Sequence, residues 1–185
     1  IMRVSITSGN AMLTRPEVEA HARRLAAEQN LSSLREDHGL ALVSDDPLAH
    51  VVAFTAAWLA RVRYTPLVST HSGVLARQLA IANPDLVLES KTSGSWRPFS
   101  NKADILEPAQ PCHTNQIWCD VHDGSGWQIV LFSSGTSSEP KGIVHSKATL
   151  LDNIAAHTSL YDHKPGGTGI VAQNIQTTGF FTEVL

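Results

Sequence analysis

The pattern of apolar and polar residues alternates between short strands and longer helices over the first half of the chain. Apolar runs predict strands at 40–43, 64–68 and 85–89, and helical spacing predicts helices from about Leu48 to Val62 and from Gly73 to Ala82. Asp45-Asp46-Pro47 is expected to cap the first of these helices. Strands that alternate with helices form a parallel sheet with helices on both faces. We therefore expect an α/β fold built on a parallel or mixed sheet.

The first 26 residues predict a β-hairpin and then a helix. Residues 2–7 alternate, residues 8–10 form the turn and residues 11–13 return. Thr14 is expected to cap the helix, with Glu17 in a capping box and Pro16 in the first turn. The residues that recur at helical spacing are Val18, His21, Ala22, Leu25 and Ala26.

The second half is less regular. We expect loops from 90 to 111 with short strands near 96–99 and 104–106, an edge strand at 118–122, a turn at 123–126 and a buried strand at 129–132. A strand at 143–145, a helix capped by Ser146, a strand at 169–172 and a helix opened by Thr178 follow. The helix after Ser146 is predicted to carry Leu150, Ile154, Ala155 and Leu160 on one side.

Composition and charge exclude several classes of protein. The chain has 185 residues, 42% hydrophobic and 17% charged, which is enough apolar material for one sizeable core. A formal net charge of −3 without a basic cluster argues against nucleic-acid binding. No apolar run approaches the length of a membrane span, and the first residues lack the layout of a signal peptide, so we expect no membrane partner and a cytoplasmic location.

One group of residues invites a metal interpretation. Cys112, His113, Cys119 and His122 lie close together in sequence, but their spacing fits none of the usual zinc patterns. We predict no metal site there.

The segment from Ser133 to Gly142 carries the most specific chemistry in the chain. It combines hydroxyls and glycines with Lys141 and follows the apolar run 129–132. Glycine lets backbone N–H groups converge on an anion, hydroxyls donate further hydrogen bonds, and lysine supplies a positive charge. The order Lys141-Gly142-Ile143 is not that of a Walker A loop, and no Gly-x-Ser-x-Gly elbow occurs. The segment is predicted to bind a polyphosphate.

Residues 132–146, FSSGTSSEPKGIVHS, closely resemble the signature of the adenylate-forming enzymes: acyl-CoA synthetases, aryl-acid ligases, luciferases and the adenylation domains of peptide synthetases. One departure is Ser138, which stands where the family usually has a second glycine. Two further segments match the family, the Ala22–Ala26 stretch and Tyr64-Thr65-Pro66-Leu67. His145 lies near the end of the segment 132–146, and we interpret it as a structural residue rather than a ligand of phosphate.

The resemblance implies an ATP-dependent ligase with Mg²⁺ as a further cofactor. The parent reaction joins a carboxylate to the α-phosphate of ATP, releases pyrophosphate and hands the acyl group to the thiol of coenzyme A or of a carrier protein. By this resemblance, ATP and phosphate are bound by Ser133, Ser134, Gly135, Thr136, Ser137, Ser138, Lys141 and Gly142. Catalytic residues are not assigned.

The resemblance also places an acyl pocket near Thr178 and Gly179. Family members commonly carry an aromatic residue and a histidine before this glycine, and neither is present here. Amino-acid-activating members carry a Phe-Asp pair in this region, and no acidic residue precedes Gly179 in 174–178. A carboxylic acid without an α-amino group is therefore the expected substrate class.

The resemblance divides the chain into residues 1–127, part of an N-terminal α/β subdomain, and residues 128–185, with the phosphate loop and the start of the acyl-pocket region. Family members continue for several hundred residues, so we expect an N-terminal fragment that does not complete adenylation alone and that self-associates through uncovered surfaces. Two alternatives stay open: a non-catalytic nucleotide- or phosphate-binding α/β module, and a structural or partner-binding domain without affinity for ATP.

Overall fold

The structure is a computed structural model that describes most of the chain. The described residues are 5–8, 11–35, 38–68, 72–91, 96–98, 117–119, 127–133, 140–160, 177 and 180–181. For residues 5–8, 11, 72 and 117–119, the description covers the backbone alone. The strands predicted at 104–106 and 169–172 and the turn predicted at 123–126 lie outside these ranges.

Every strand and helix predicted within the described residues is present. The strands are β1 Ser5–Ser8, β2 Ala11–Thr14, β3 Gly39–Val43, β4 Arg63–Leu67, β5 Leu86–Ser90, β6 Trp96–Pro98, β7 Ile117–Cys119, β8 Gln128–Ser133 and β9 Lys141–Ser146. The helices are α1 Arg15–Glu28, α2 Pro47–Ala60, α3 Ser72–Ala82 and α4 Lys147–Leu160, and Leu31–Ser33 forms a short 3-10 turn.

The predicted hairpin and its capping box are confirmed. β1 and β2 pair antiparallel, and Thr14 ends β2 and caps α1. The Thr14 N–H and the Thr14 hydroxyl each donate to Glu17 Oε2 at 2.7 Å. These hydrogen bonds, the backbone one first, lower the pKa of Glu17. The box therefore fixes where the hairpin stops and the helix begins.

The remaining strands form one seven-stranded mixed sheet in the order β6-β5-β3-β4-β8-β9-β7. Parallel pairing joins β5, β3, β4 and β8. β6 is antiparallel to β5, β9 is antiparallel to β8, and β7 is parallel to β9. The predicted fold class, an α/β fold on a mixed sheet with helices on both faces, is confirmed.

The strand order explains why the helices lie on opposite faces. From β3 the chain moves to one side to form β4, and from β4 it moves back past β3 to form β5. Right-handed crossovers in opposite directions place their helices on opposite faces of a sheet. α2 accordingly packs in one hydrophobic core and α3 in a second.

The two cores differ in composition. The core on the α2 side includes α1, contains Phe54, Tyr64, Trp127 and Phe181, and is largely aromatic at its centre. The core on the α3 side is mostly aliphatic: Ala41, Val43, Leu67, Leu75, Leu79, Ile81, Ala82, Val87, Val130, Phe132 and Val144. α2 is buried on nearly all sides because α1 covers its outer face.

One helix differs from the prediction. Ser146 caps α4, since its Oγ accepts a hydrogen bond from the Thr149 N–H at 3.2 Å. Leu150 is buried and Ile154 half-buried, but Ala155 is exposed and Leu160 is 79% exposed. The predicted grouping of all four on one side does not hold for Ala155 and Leu160, because α4 packs on β9 and makes its buried contact through its first turns.

Candidate functional site

The predicted phosphate loop joins β8 to β9 at the end of the sheet where the parallel strands have their carboxyl ends. Ser133 is the last residue of β8, Lys141 is the first residue of β9, and the two are register partners in the antiparallel pair. The register therefore places the backbones of a serine and a lysine opposite each other at the two ends of the loop.

The predicted site residues are only partly described. Ser133, Lys141 and Gly142 lie within the described residues, whereas Ser134, Gly135, Thr136, Ser137, Ser138, Thr178 and Gly179 lie outside them. Thr177 and the helical residues Phe180 and Phe181 flank the predicted acyl pocket. The described part of the site is therefore the pair of strands that carry the loop.

Alternation along the strands sets the direction of each described side chain. Phe132 and Gly142 are partners on the α3 side, where Phe132 belongs to the aliphatic core. Because successive side chains point to opposite faces, Ser133 and Lys141 point to the α2 side. Ser133 is half-buried and Lys141 is exposed, so a dissolved ligand can reach the lysine side chain from solvent.

The loop lies at the carboxyl ends of the parallel strands. β8 runs parallel to β4, and the described register between them consists of Tyr64 opposite Ile129. Pro66, two residues after Tyr64, has no N–H to offer to a neighbouring strand. β4 and β8 are thus loosely paired toward their carboxyl ends, at the edge where open parallel sheets bind ligands.

A second feature of the same edge is the turn after β3. The Ser44 N–H donates to the Leu67 carbonyl at 2.9 Å, and Ser44 Oγ donates to the Ser90 carbonyl at 2.7 Å. The Leu48 N–H donates to Asp46 Oδ1 at 3.0 Å, which confirms the predicted cap of α2. Ser44 therefore ties together the carboxyl ends of β3, β4 and β5.

A buried histidine of α2 forms a hydrogen bond with the backbone of this turn. His50 lies within hydrogen-bonding distance of the Ser44 carbonyl through Nε2, at 2.9 Å, and of the Tyr64 hydroxyl through Nδ1, at 2.8 Å. A carbonyl only accepts, so Nε2 carries the proton and Nδ1 accepts from Tyr64. Burial lowers the pKa of His50 to about 4 and raises the pKa of Tyr64. Both groups are neutral near pH 7 and are structural.

Sequence reasoning gave His50 no role, because it is one of nine dispersed histidines. Its place in an apolar helix, four residues after the capping Asp46, was the available indication. His145 lies on β9 opposite Ile129, and the four residues from Lys141 to His145 span about 13 Å along the strand. That separation favours the structural interpretation of His145.

The described residues contain no group of three or more His, Cys, Asp or Glu side chains that could hold a metal ion. The side chains of Cys112, His113, Cys119 and His122 lie outside them. Among the described helices, none is long and apolar enough to cross a membrane.

Comparison with known proteins adds a sequence relative and several solved structures. No family model matches the chain. N-(5-amino-5-carboxypentanoyl)-L-cysteinyl-D-valine synthase of Amycolatopsis lactamdurans is 27% identical over 162 residues, which is 85% of this chain and 4% of that protein. O-succinylbenzoate coenzyme A synthetase MenE of Bacillus subtilis, in complex with AMP, superposes with a TM-score of 0.67 at 15% identity over 99% of this chain and 50% of that one. Sequence and fold together relate this chain to the adenylate-forming enzymes.

A second solved structure shares the fold. ATP-bound MatB of Rhodopseudomonas palustris superposes with a TM-score of 0.69 at 19% identity, over 94% of this chain and 38% of that one. The chain spans half or less of the length of these adenylate-forming structures and a small fraction of the curated synthase.

Proposed function

We propose that this chain supplies the phosphate-binding part of an ATP-dependent carboxylate-activating ligase. The observation that carries the proposal is the pairing of Ser133 with Lys141 at the carboxyl ends of the parallel strands, at the two ends of a loop that contains Gly135 and four hydroxyl residues. The fold shared with AMP-bound MenE and ATP-bound MatB supports a nucleotide as the ligand.

In this proposal the loop acts by positioning and by charge, without forming a covalent bond. Gly135 and neighbouring backbone N–H groups hold the leaving phosphates, Thr136 and Ser137 donate hydroxyl hydrogen bonds, and Lys141 offsets negative charge. Ser134, Ser138 and Gly142 complete the predicted set. The acyl-adenylate formed with release of pyrophosphate then passes to the thiol of coenzyme A or of a carrier protein.

The described donors fit a phosphate better than a metal ion. An exposed ammonium and a hydroxyl donate hydrogen bonds to phosphate oxygens, whereas Mg²⁺ prefers carboxylate and other oxygen ligands. Mg²⁺ would accompany the polyphosphate and offset part of its charge. The described residues hold the phosphate side of such a complex, and we assign them no metal ligand.

The acyl substrate and the chain's own activity also belong to the proposal. The residues before Gly179 favour a carboxylic acid without an α-amino group. The chain spans half or less of the length of the adenylate-forming structures above, so we expect it to bind phosphate but not to complete adenylation. ATP–pyrophosphate exchange by the 185-residue chain, with a panel of carboxylic acids, tests this, and exchange clearly above background contradicts it.

The central experiment measures pyrophosphate binding by calorimetry with the complete gene product that contains this chain. Lys141→Ala is expected to weaken binding by about 1–3 kcal/mol, the range for a charged hydrogen bond. Lys91→Ala is the matched control, because Lys91 is also exposed and follows a parallel strand, β5, at the same edge. It lies three strand spacings from β8, about 14 Å, and its removal is expected to leave binding unchanged.

The outcomes separate the proposal from its alternatives. Equal affinity of wild type and Lys141→Ala contradicts a role for the loop in binding phosphate. Binding that depends on Lys141, without any ATP–pyrophosphate exchange by the complete gene product, identifies a non-catalytic phosphate-binding module instead.

A further inference from the structure

Gly142 is in close contact with a side chain from a distant part of the sequence. A Cβ placed on Gly142 would lie 3.1 Å from Ile81 Cγ2, 3.4 Å from Phe132 Cε1 and 3.5 Å from Val130 Cγ1. The first distance is shorter than an ordinary carbon–carbon contact of about 3.5–4.0 Å. The branch methyl of Ile81 therefore rests directly on the backbone of β9.

The residue that β9 presents next to this contact is Lys141. Gly142 is paired with Phe132 on β8 and with Ile117 on β7, so its backbone is held from both sides within the sheet. Ile81 packs against Gly142 from the α3 side of the sheet, perpendicular to these two strands. The position of Gly142, and with it the start of the Lys141 side chain, depends on all three neighbours.

Ile81 lies in the last turn of α3, and hydrogen bonds anchor this end of the helix to the sheet. Arg63 Nη2 donates to the Ala82 carbonyl at 3.0 Å and to the Asn83 carbonyl at 3.3 Å, at the carboxyl end of the helix. The Asp85 N–H donates to the Gly39 carbonyl at 2.8 Å, and Asp85 Oδ2 accepts from the Gly39 N–H at 2.7 Å. The end of α3 is thus tied to the amino ends of β3 and β4.

We propose that Ile81 is a positioning residue for Lys141. Its branch methyl packs on Gly142 and thereby fixes the position of the β9 backbone from which the lysine side chain reaches a bound phosphate. This inference rests on the proposed function of Lys141. It assigns the glycine after the lysine a packing role toward α3 in addition to any role in the loop. It also gives part of the phosphate site to a helix sixty residues earlier in the chain.

Two conservative substitutions isolate the methyl that makes the contact. Ile81→Leu keeps the number of side-chain carbons but removes the branch methyl Cγ2, whereas Ile81→Val keeps a branch methyl and removes the terminal one. In the complete gene product, Ile81→Leu is expected to weaken pyrophosphate binding about fivefold, part of the effect of losing a charged hydrogen bond, and Ile81→Val less than about twofold.

A double-mutant cycle tests the contact itself. Gly142→Ala alone is expected to weaken pyrophosphate binding about tenfold, because its Cβ meets Ile81 Cγ2. Combined with Ile81→Leu, which removes that atom, binding is expected to recover to within about threefold of wild type. Two merely destabilising changes would add instead of compensating.

Kinetics distinguish positioning from a loss of folded protein. If the complete gene product catalyses exchange, Ile81→Leu is expected to raise the KM for pyrophosphate and leave the KM for the carboxylic acid unchanged. A change in kcat alone, with both KM values unchanged, would contradict the proposal.

The result with Lys141→Ala separates the two levels of inference. If Lys141→Ala weakens pyrophosphate binding but Ile81→Leu does not, or if the double variant binds no better than Gly142→Ala, the role of Ile81 is overturned and the proposed function stands. If Lys141→Ala has no effect, both are overturned.

Discussion

Tyr64 and Thr65 are consecutive residues of β4 and point to opposite faces of the sheet. Both are fully buried. Tyr64 donates its hydroxyl hydrogen to His50 and packs against Phe54 and Phe181. Thr65 Oγ1, on the aliphatic α3 side, has no hydrogen-bond partner among the residues that the structure describes.

The two faces of the sheet contribute different things to the fold. On the α2 side, aromatic contacts and a paired His–Tyr couple specify one arrangement of the turn after β3. On the α3 side, small and aliphatic residues allow the close approach of Ile81 to Gly142 beside the phosphate loop. The α2 side therefore stabilises the sheet, and the α3 side packs a helix against the strand that carries Lys141.

The largest expected effect is on the aromatic face. Phe54 is 2% exposed, and the centroid of its ring lies 5.0 Å from that of Phe181 and 5.1 Å from that of Trp127. Phe54→Ala is expected to lower the free energy of unfolding by about 3–5 kcal/mol, because a large cavity is left. Denaturant unfolding measures the change. Leu59→Ala on the same helix, where Leu59 is 43% exposed, is expected to cost far less, and equal losses would contradict the comparison.

The next effect concerns pH. The pKa of His50 is about 4 in the folded chain, below its ordinary value of 6.5, because burial opposes the charged form. The stability that this histidine contributes is therefore fully present above pH 6.5 and is lost as the pH falls from 6.5 toward 4. The loss amounts to about 3 kcal/mol over the whole window.

The measurement is the free energy of unfolding from pH 7 to pH 4 for wild type and His50→Gln. The variant is expected to lose less stability over this range, since it has no imidazole to protonate. If the two pH profiles run parallel, His50 does not control this part of the acid sensitivity.

The two neighbours on β4 give the most direct comparison of the faces. Tyr64→Phe removes the donor to His50 Nδ1 and is expected to lower the free energy of unfolding by about 1–3 kcal/mol, the cost of an unsatisfied buried group. Thr65→Val replaces the hydroxyl by a methyl group of similar size. It is expected to leave the free energy of unfolding unchanged or to raise it, by no more than about 1 kcal/mol. Chemical denaturation of both variants tests the contrast, and a larger loss for Thr65→Val would reverse it.

The smallest predicted effect lies in the outer layer of the α2 side. Thr14→Ala removes the hydroxyl of the capping box and is expected to lower the free energy of unfolding by about 1 kcal/mol. Thr14→Ser, which keeps a hydroxyl, is the control and should retain most of the stability. Thermal unfolding distinguishes the two. Equal losses for both variants would mean that the hydroxyl does not support α1.

Local features of the fold were predictable from the sequence. Thr14, Asp46 and Ser146 were assigned as helix caps from residue type and spacing, and each begins a helix. Sheet order was not predictable in this way, because it depends on contacts between residues far apart in sequence. The exposure of Leu160 was missed for a similar reason: a helical pattern indicates an apolar side but not how far its partner extends.

The candidate site divides in the same manner. The motif located the loop between two strands, and the register of Ser133 with Lys141 agrees with it. The contact of Gly142 with Ile81 could not be predicted, because nothing in the sequence links the penultimate residue of a helix to a glycine 61 positions later. His50 was missed because its meaning depends on Ser44 and Tyr64, which only the folded chain brings to it.

Pro66 divides the sheet unevenly. Five register pairs join β3 to β4, whereas the described register between β4 and β8 is a single pair at Tyr64 and Ile129. Backbone amides protected by few neighbouring hydrogen bonds exchange with deuterated solvent through small openings. We therefore expect the backbone amides along the boundary between β4 and β8 to exchange before those between β3 and β4.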